Sequence, residues 1–160
     1  MKKIIIAMLL CSLAFSNAYA QSIWDTPSVD LKDTKMDIEV YRSPTCGCCG
    51  KWLEHLKKHG FNVHDNVVDD VQGIKNKYAV SAALASCHTA IINGYVVEGH
   101  VPAGDIKSML QSKANIKGLA VPGMVAGSPG MEMGDRKAPF KVIAFDKEGQ
   151  LTVYKTYDKY

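Results

Sequence analysis

An α/β domain with a thioredoxin-like βαβ-ββα core and an additional C-terminal β-hairpin is predicted by three features of this sequence. A short alternating segment leads directly into a Cys-rich loop and an amphipathic helix. Two further apolar segments flank an Asn-Gly turn and run into another helix. A last pair of strand-like segments closes the chain.

Asp37 to Arg42 alternates in the manner of a half-buried strand. Ser43 to Gly50 is a loop carrying Cys46, Cys48 and Cys49. Cys49, Trp52, Leu53 and Leu56 then recur at helical spacing, with Lys51, Glu54, Lys57 and Lys58 opposite, and Gly60 is a suitable stop. Phe61 to Val68 reads as a second strand. Asp69 to about Tyr78 reads as a short helix weakened by Gly73. Cys87 to Ile92 and Tyr95 to Glu98 are strands joined by Asn93-Gly94, a dipeptide suited to tight hairpin turns. Ala103 to Ser112 places Ile106, Met109 and Leu110 on one helical face. Residues 118–134, rich in Gly, Pro and Met, read as a loop. Phe140 to Phe145 and Leu151 to Tyr157 form the last hairpin around Lys147-Glu148-Gly149.

Residues 1–20 read as a signal peptide. Lys2 and Lys3 precede an apolar run, and Ala18-Tyr19-Ala20 has the small-x-small cleavage pattern. The run is shorter than the ~20 residues of a membrane span. The expected location is therefore the periplasm, with no membrane association after cleavage. Residues 21–36 read as an extended N-terminal arm, and 37–160 as a thioredoxin-like metal-binding domain. Loss of Lys2 and Lys3 takes Lys plus Arg from 19 to 17 against 16 acidic residues, so the net charge falls from +3 to +1. Such a near-neutral chain does not point to nucleic acid as a partner.

Cleavage also removes Cys11, leaving Cys46, Cys48, Cys49 and Cys87. Three sulfurs within four residues are poorly suited to structural bridges, because disulfide geometry is narrow. Converging thiolates instead form an electron-rich pocket that can bridge more than one soft ion, Cu(I) or zinc. A thioredoxin-like arrangement brings the start of the third strand, Cys87-His88, beside the Cys loop. The alternative is that Cys87 is a small buried hydrophobe and His88 a satisfied polar residue. Thiol-exchange enzymes of this fold carry a cis-proline at that strand start. His88 in its place shifts weight towards metal binding.

Met124 and Met131 lie in the Gly/Pro loop without helical period and are candidate thioether ligands. Met133 is a weaker one, and Met109 belongs to the core. His100, at a strand end, is a further candidate ligand. His55 and His59 share a face with Lys51 and Lys58 and are expected on a solvated surface; His64 is expected to be structural.

Four segments together resemble the CopG-type copper-resistance proteins, long catalogued as a domain of unknown function. They are Ser43-Pro44-Thr45-Cys46-Gly47-Cys48-Cys49, Ser86-Cys87-His88-Thr89, Gly94 to Pro102, and Gly118 to Met124 with Gly127-Ser128-Pro129-Gly130-Met131. The resemblance spans about residues 37 to 157, with Val125 where the family's pattern has proline. It implies a thioredoxin-like fold, a periplasmic site and a cysteine-bridged copper cluster. Copper ions and other periplasmic copper-handling proteins are the expected partners. Mixed sulfur and nitrogen ligation supports both Cu(I) and Cu(II), so copper redox turnover is left open. Two other readings use the same residues: a thiol-disulfide oxidoreductase acting through Cys46 and Cys49, and a structural zinc module. Zinc prefers four spaced ligands in a tetrahedron, which three cysteines in four residues fit poorly.

Overall fold

The computed structural model describes residues 23–25 and 36–160. The predicted signal peptide and most of the N-terminal arm lie outside the described residues.

Seven strands form one mixed sheet: β1 (Asp37–Arg42), β2 (Asn62–Val67), β3 (His88–Ile92), β4 (Tyr95–Glu98), β5 (Gly118–Ala120), β6 (Phe140–Phe145) and β7 (Leu151–Tyr157). Their spatial order is β2-β1-β3-β4-β5-β6-β7. The helices are α1 (Gly47–Lys58), α2 (Val71–Lys77) and α3 (Ala103–Ser112). β1 and β2 are parallel across α1, whereas β3 is antiparallel to both β1 and β4. This is the thioredoxin-like βαβ-ββα core, and the C-terminal hairpin extends its sheet.

The two-residue period of the strands sorts side chains onto two faces. Val40, Ala90, Ile92, Val97, Leu119, Val142 and Ala144 join the main core with Trp52 and Leu56 of α1 and Ile106, Met109 and Leu110 of α3. Their strand neighbours Ile91, Val96, Ala120, Ile143 and Phe145 pack on the other face with Val80 and Leu84, which follow α2. The helical stripe read from the sequence at Cys49, Trp52, Leu53 and Leu56 is buried as expected. Asn93 and Gly94 both take positive φ in the hairpin turn, as that dipeptide favours.

The structure corrects three expectations. Residues 118–134 are not wholly loop, because Gly118–Ala120 bridges β4 and β6 as β5. A Cβ at Gly118 would collide with the Val96 carbonyl oxygen. Closeness to β4 therefore requires glycine there, and a three-residue strand opening on glycine leaves no period to read. The arm is not simply extended either. Ile23–Asp25 forms a 3₁₀ turn, and Trp24 packs against Phe140, Tyr157 and Tyr160 while its Nε1 donates to the Gly127 carbonyl. The third concerns His55 and His59, which are buried rather than solvated. His55 Nε2 accepts from the Ala103 amide at the start of α3, and His59 Nδ1 meets the His55 carbonyl oxygen. His64, by contrast, is half exposed on β2, beside Asn62 and Asp37. Among the described residues no helix is long and apolar enough to cross a membrane.

Candidate metal centre

β1 delivers the chain to a turn closed by the Cys46 amide on the Ser43 carbonyl, 3.2 Å away. Cys46 is the N-cap of α1, with Cys48 and Cys49 in its first turn. β3 is hydrogen-bonded beside β1, with Arg42 opposite His88. That register sets Cys87 against the Cys loop from across the sheet.

Two groups of ligating atoms result, and Cys87 belongs to both. One is Cys46, Cys48, Cys49 and Cys87; the other is Cys87, His88 and His100. Within each, the ligating atoms all lie within 4.8 Å of one another. Cys48 Sγ is 3.6 Å from Cys46 Sγ and 3.9 Å from Cys87 Sγ. Cys87 Sγ in turn lies 3.3 Å from His88 Nδ1 and 3.2 Å from His100 Nε2.

Cys46 and Cys49 are joined in a disulfide, while Cys48 and Cys87 are free thiols. One bridge does therefore form within the Cys-x-Cys-Cys run, contrary to the expectation from its crowding. It closes the Cys-x-x-Cys frame rather than the strained adjacent pair. Two electrons and two protons would open it to give four thiols.

The histidines are held with a polarity suited to ligation. His100 Nδ1 is 2.8 Å from the Pro129 carbonyl oxygen. That contact requires the proton on Nδ1 and leaves the Nε2 lone pair facing Cys87. His88 is fully buried beneath the Trp52 indole, with ring centroids 4.3 Å apart. Its Nδ1 faces the Cys87 sulfur, and its Nε2 has no hydrogen-bond partner among the described residues. A satisfied core histidine would not leave a ring nitrogen so.

Burial lowers the basicity of both imidazoles, so they stay neutral, the form a metal requires. For His88 the neighbouring His100 and Lys75 act in the same direction. Burial, followed by the proximity of Cys48, pushes the Cys87 thiol up to about 12. It is therefore protonated in the metal-free protein, and a cation must supply the energy of ionisation.

The Met loop wraps the same end of the molecule. Gly130, at φ +80°, lies so close to α1 that a Cβ would be 2.6 Å from the Trp52 amide nitrogen. Ser86 Oγ donates to the Gly123 carbonyl, tying the start of this loop beside Cys87. Met124, the next residue, is 61% exposed; Met131 is half-buried and Met133 is exposed. Met109 lies in the core as expected.

Several residues that frame the site escaped the sequence reading. Trp52, taken only as core, covers His88 and donates from Nε1 to the Val101 carbonyl beside His100. The Pro129 carbonyl and the buried pair Lys75–Glu98 carried no readable signal, because each acts through a partner distant in sequence.

Four sulfurs and two neutral imidazoles make a soft donor set, suited to Cu(I) and also acceptable to zinc. Known proteins are similar to this chain in sequence and in fold. A family model described as "Protein of unknown function, DUF411" matches residues 84–131, which include Cys87, His88 and His100. Two solved structures of a copper resistance protein, copG, are similar to this chain at 45% identity. Form 1 has a TM-score of 0.74, with 78% of this chain and 99% of that chain covered. Form 2 has a TM-score of 0.73, with 76% and 97% covered. No curated protein matches the chain.

Proposed function

The chain belongs to the family of the copper resistance protein CopG, and on that premise we propose that it is a periplasmic protein that binds Cu(I) in copper resistance. Cys46, Cys48, Cys49 and Cys87 supply sulfur once the Cys46–Cys49 disulfide is reduced. His88 and His100 add nitrogen. Met124 and Met131 are the thioethers available from the tethered loop. Copper ions are the cargo, exchanged with other periplasmic copper-handling proteins.

One observation carries this reading: Cys87 is shared between a four-sulfur group and a two-imidazole group. A bridging thiolate of this kind suits a site for more than one ion. A single tetrahedral zinc would use only part of it. Sulfur-rich ligation favours Cu(I) and the imidazoles tolerate Cu(II), so the donor set is compatible with either state.

The test is anaerobic Cu(I) titration of the reduced and the disulfide-closed protein, with X-ray absorption on the loaded form. The reduced protein should take up more than one copper per chain with mainly sulfur neighbours, and the closed form fewer. One tightly held zinc, with no copper uptake under reducing conditions, would overturn the reading.

The closed Cys46–Cys49 disulfide favours a second reading, thiol-disulfide exchange without metal. It requires insulin reduction or disulfide oxidation by the metal-free protein, lost in Cys46→Ser. His88 where exchange enzymes carry proline argues for low activity.

A further inference from the structure

The Glu98 carboxylate is fully buried at the end of β4. It accepts three hydrogen bonds. Oε1 receives Lys75 Nζ at 2.5 Å and the Ser86 amide at 2.6 Å; Oε2 receives Thr89 Oγ1 at 2.6 Å. Lys75 comes from α2, is itself buried, and also donates to Thr89 Oγ1 at 3.1 Å. One side chain therefore grips the residues immediately before and after Cys87-His88.

Its position explains why such a grip is needed. β3 begins at His88, so Ser86 and Cys87 precede the strand proper. The β3–β4 ladder holds Thr89 opposite Glu98, and the Gly99 amide donates to the His88 carbonyl, but Cys87 itself lies beyond the last paired residue. A strand end frays unless something replaces the ladder. Here the replacements are the Glu98 carboxylate on the Ser86 amide and the contacts of Gly123 with Ala85 and the Ser86 hydroxyl, of which only the first reaches Thr89 as well. Glu98 thus anchors the chain on either side of Cys87-His88, while His100, two residues after it, is held by the Pro129 carbonyl. Burying an ion pair is costly unless its hydrogen bonds are satisfied, and the carboxylate here uses both oxygens.

We propose that Glu98, charge-balanced by Lys75, is the positioning residue that holds Cys87 and His88 in ligating geometry. The consequence for copper rests on the function proposed above; the placement of Cys87 does not. Glutamine at position 98 can keep the Ser86 amide on its oxygen and donate its N–H₂ to the Thr89 hydroxyl, but leaves the Lys75 ammonium buried without a counter-charge; leucine removes every acceptor.

The test compares wild type, Glu98→Gln, the double variant Lys75→Met/Glu98→Leu, and Val142→Ala. The last opens the buried β6 core away from the site and is a control for general destabilisation. Alkylation of Cys87 in the metal-free protein is followed by peptide mass mapping, and Cu(I) affinity and X-ray absorption are measured on the loaded protein. Both Glu98 variants should alkylate Cys87 several times faster. They should also lose about 10–100-fold in copper affinity, the usual effect of removing a group that orients a ligand, with fewer sulfur and nitrogen neighbours per copper. Val142→Ala should lower thermal stability and change neither readout. If Glu98→Gln does not fold, the double variant, with no buried unpaired charge, decides the matter. A wild-type Cys87 alkylation rate in the double variant overturns the proposal. A wild type that takes up no copper removes the copper function, and the alkylation rates still decide whether Glu98 positions Cys87.

Discussion

Cys48 and Cys87, 39 positions apart in sequence, face each other at 3.9 Å between sulfurs. The α1 N-terminus supplies one and the approach to β3 the other, so the candidate metal centre is assembled across the β1–β3 pairing. Cys87 is the hinge of the arrangement, since it also contacts both imidazoles.

Removing Cys87 should therefore cost more than removing either histidine. Cys87→Ser is expected to lower Cu(I) affinity by at least about 100-fold, and His88→Ala or His100→Ala by about 10–100-fold, judged against the effect of losing an orienting partner. Competition with a chromophoric Cu(I) chelator measures all three. Equal affinities in Cys87→Ser and wild type would remove Cys87 from the centre.

His55 is expected to matter for stability and not for copper. In His55→Ala the Ala103 amide loses its acceptor at the α3 N-terminus. Leaving a buried donor unsatisfied costs about 1–3 kcal/mol. Urea unfolding should show that loss, whereas Cu(I) affinity should match wild type. A reduced copper affinity in a folded His55→Ala protein would contradict the separation of this histidine from the cluster.

The same residue gives a pH dependence. Burial, followed by the nearby His59 and Lys58, pushes His55 down to about 3 from its ordinary 6.5. The unfolded chain binds this proton at higher pH than the folded one. Stability from this group is thus complete above about pH 6.5 and is lost as pH falls towards about 3. Each pH unit in that window costs up to about 1.4 kcal/mol. Between pH 7 and 5 the metal-free wild type should lose about 2 kcal/mol more than His55→Gln. Parallel pH profiles for the two proteins would show that His55 is protonated without cost.

Trp24 should contribute strongly although it lies outside the sheet. Its ring packs on Tyr157 at 5.2 Å and Tyr160 at 5.4 Å between centroids, and its N–H holds the Gly127 carbonyl. Trp24→Ala is expected to destabilise by about 3–5 kcal/mol, the usual range for a buried aromatic. Denaturant unfolding checks this, and a loss under about 1 kcal/mol would mean that the turn at 23–25 adds little to the fold.

Elements whose evidence is local were readable from the sequence. The 3.6-residue stripe at Cys49, Trp52, Leu53 and Leu56 gave α1, the alternation at Asp37–Arg42 gave β1, and Asn93-Gly94 gave the hairpin. The Cys-x-Cys-Cys run announced soft-metal or thiol chemistry because sulfur donors so close together have few other uses. The roles of the five histidines were a different matter. His55 on α1 reads as solvated when its neighbours are Lys51 and Lys58, yet α3 and the turn at Ile23–Asp25 pack around it. His100 reads as a candidate ligand at a strand end, but nothing in the sequence says that it meets Cys87, 13 residues away. β5 was invisible because its pairing with Val96–Glu98 and Ile143–Phe145 lies entirely between segments. Periodicity reports which face of one segment is apolar. What stands opposite that face depends on sheet register and helix packing, and those contacts alone decided which histidines join the sulfurs and which carboxylate holds Cys87 in place.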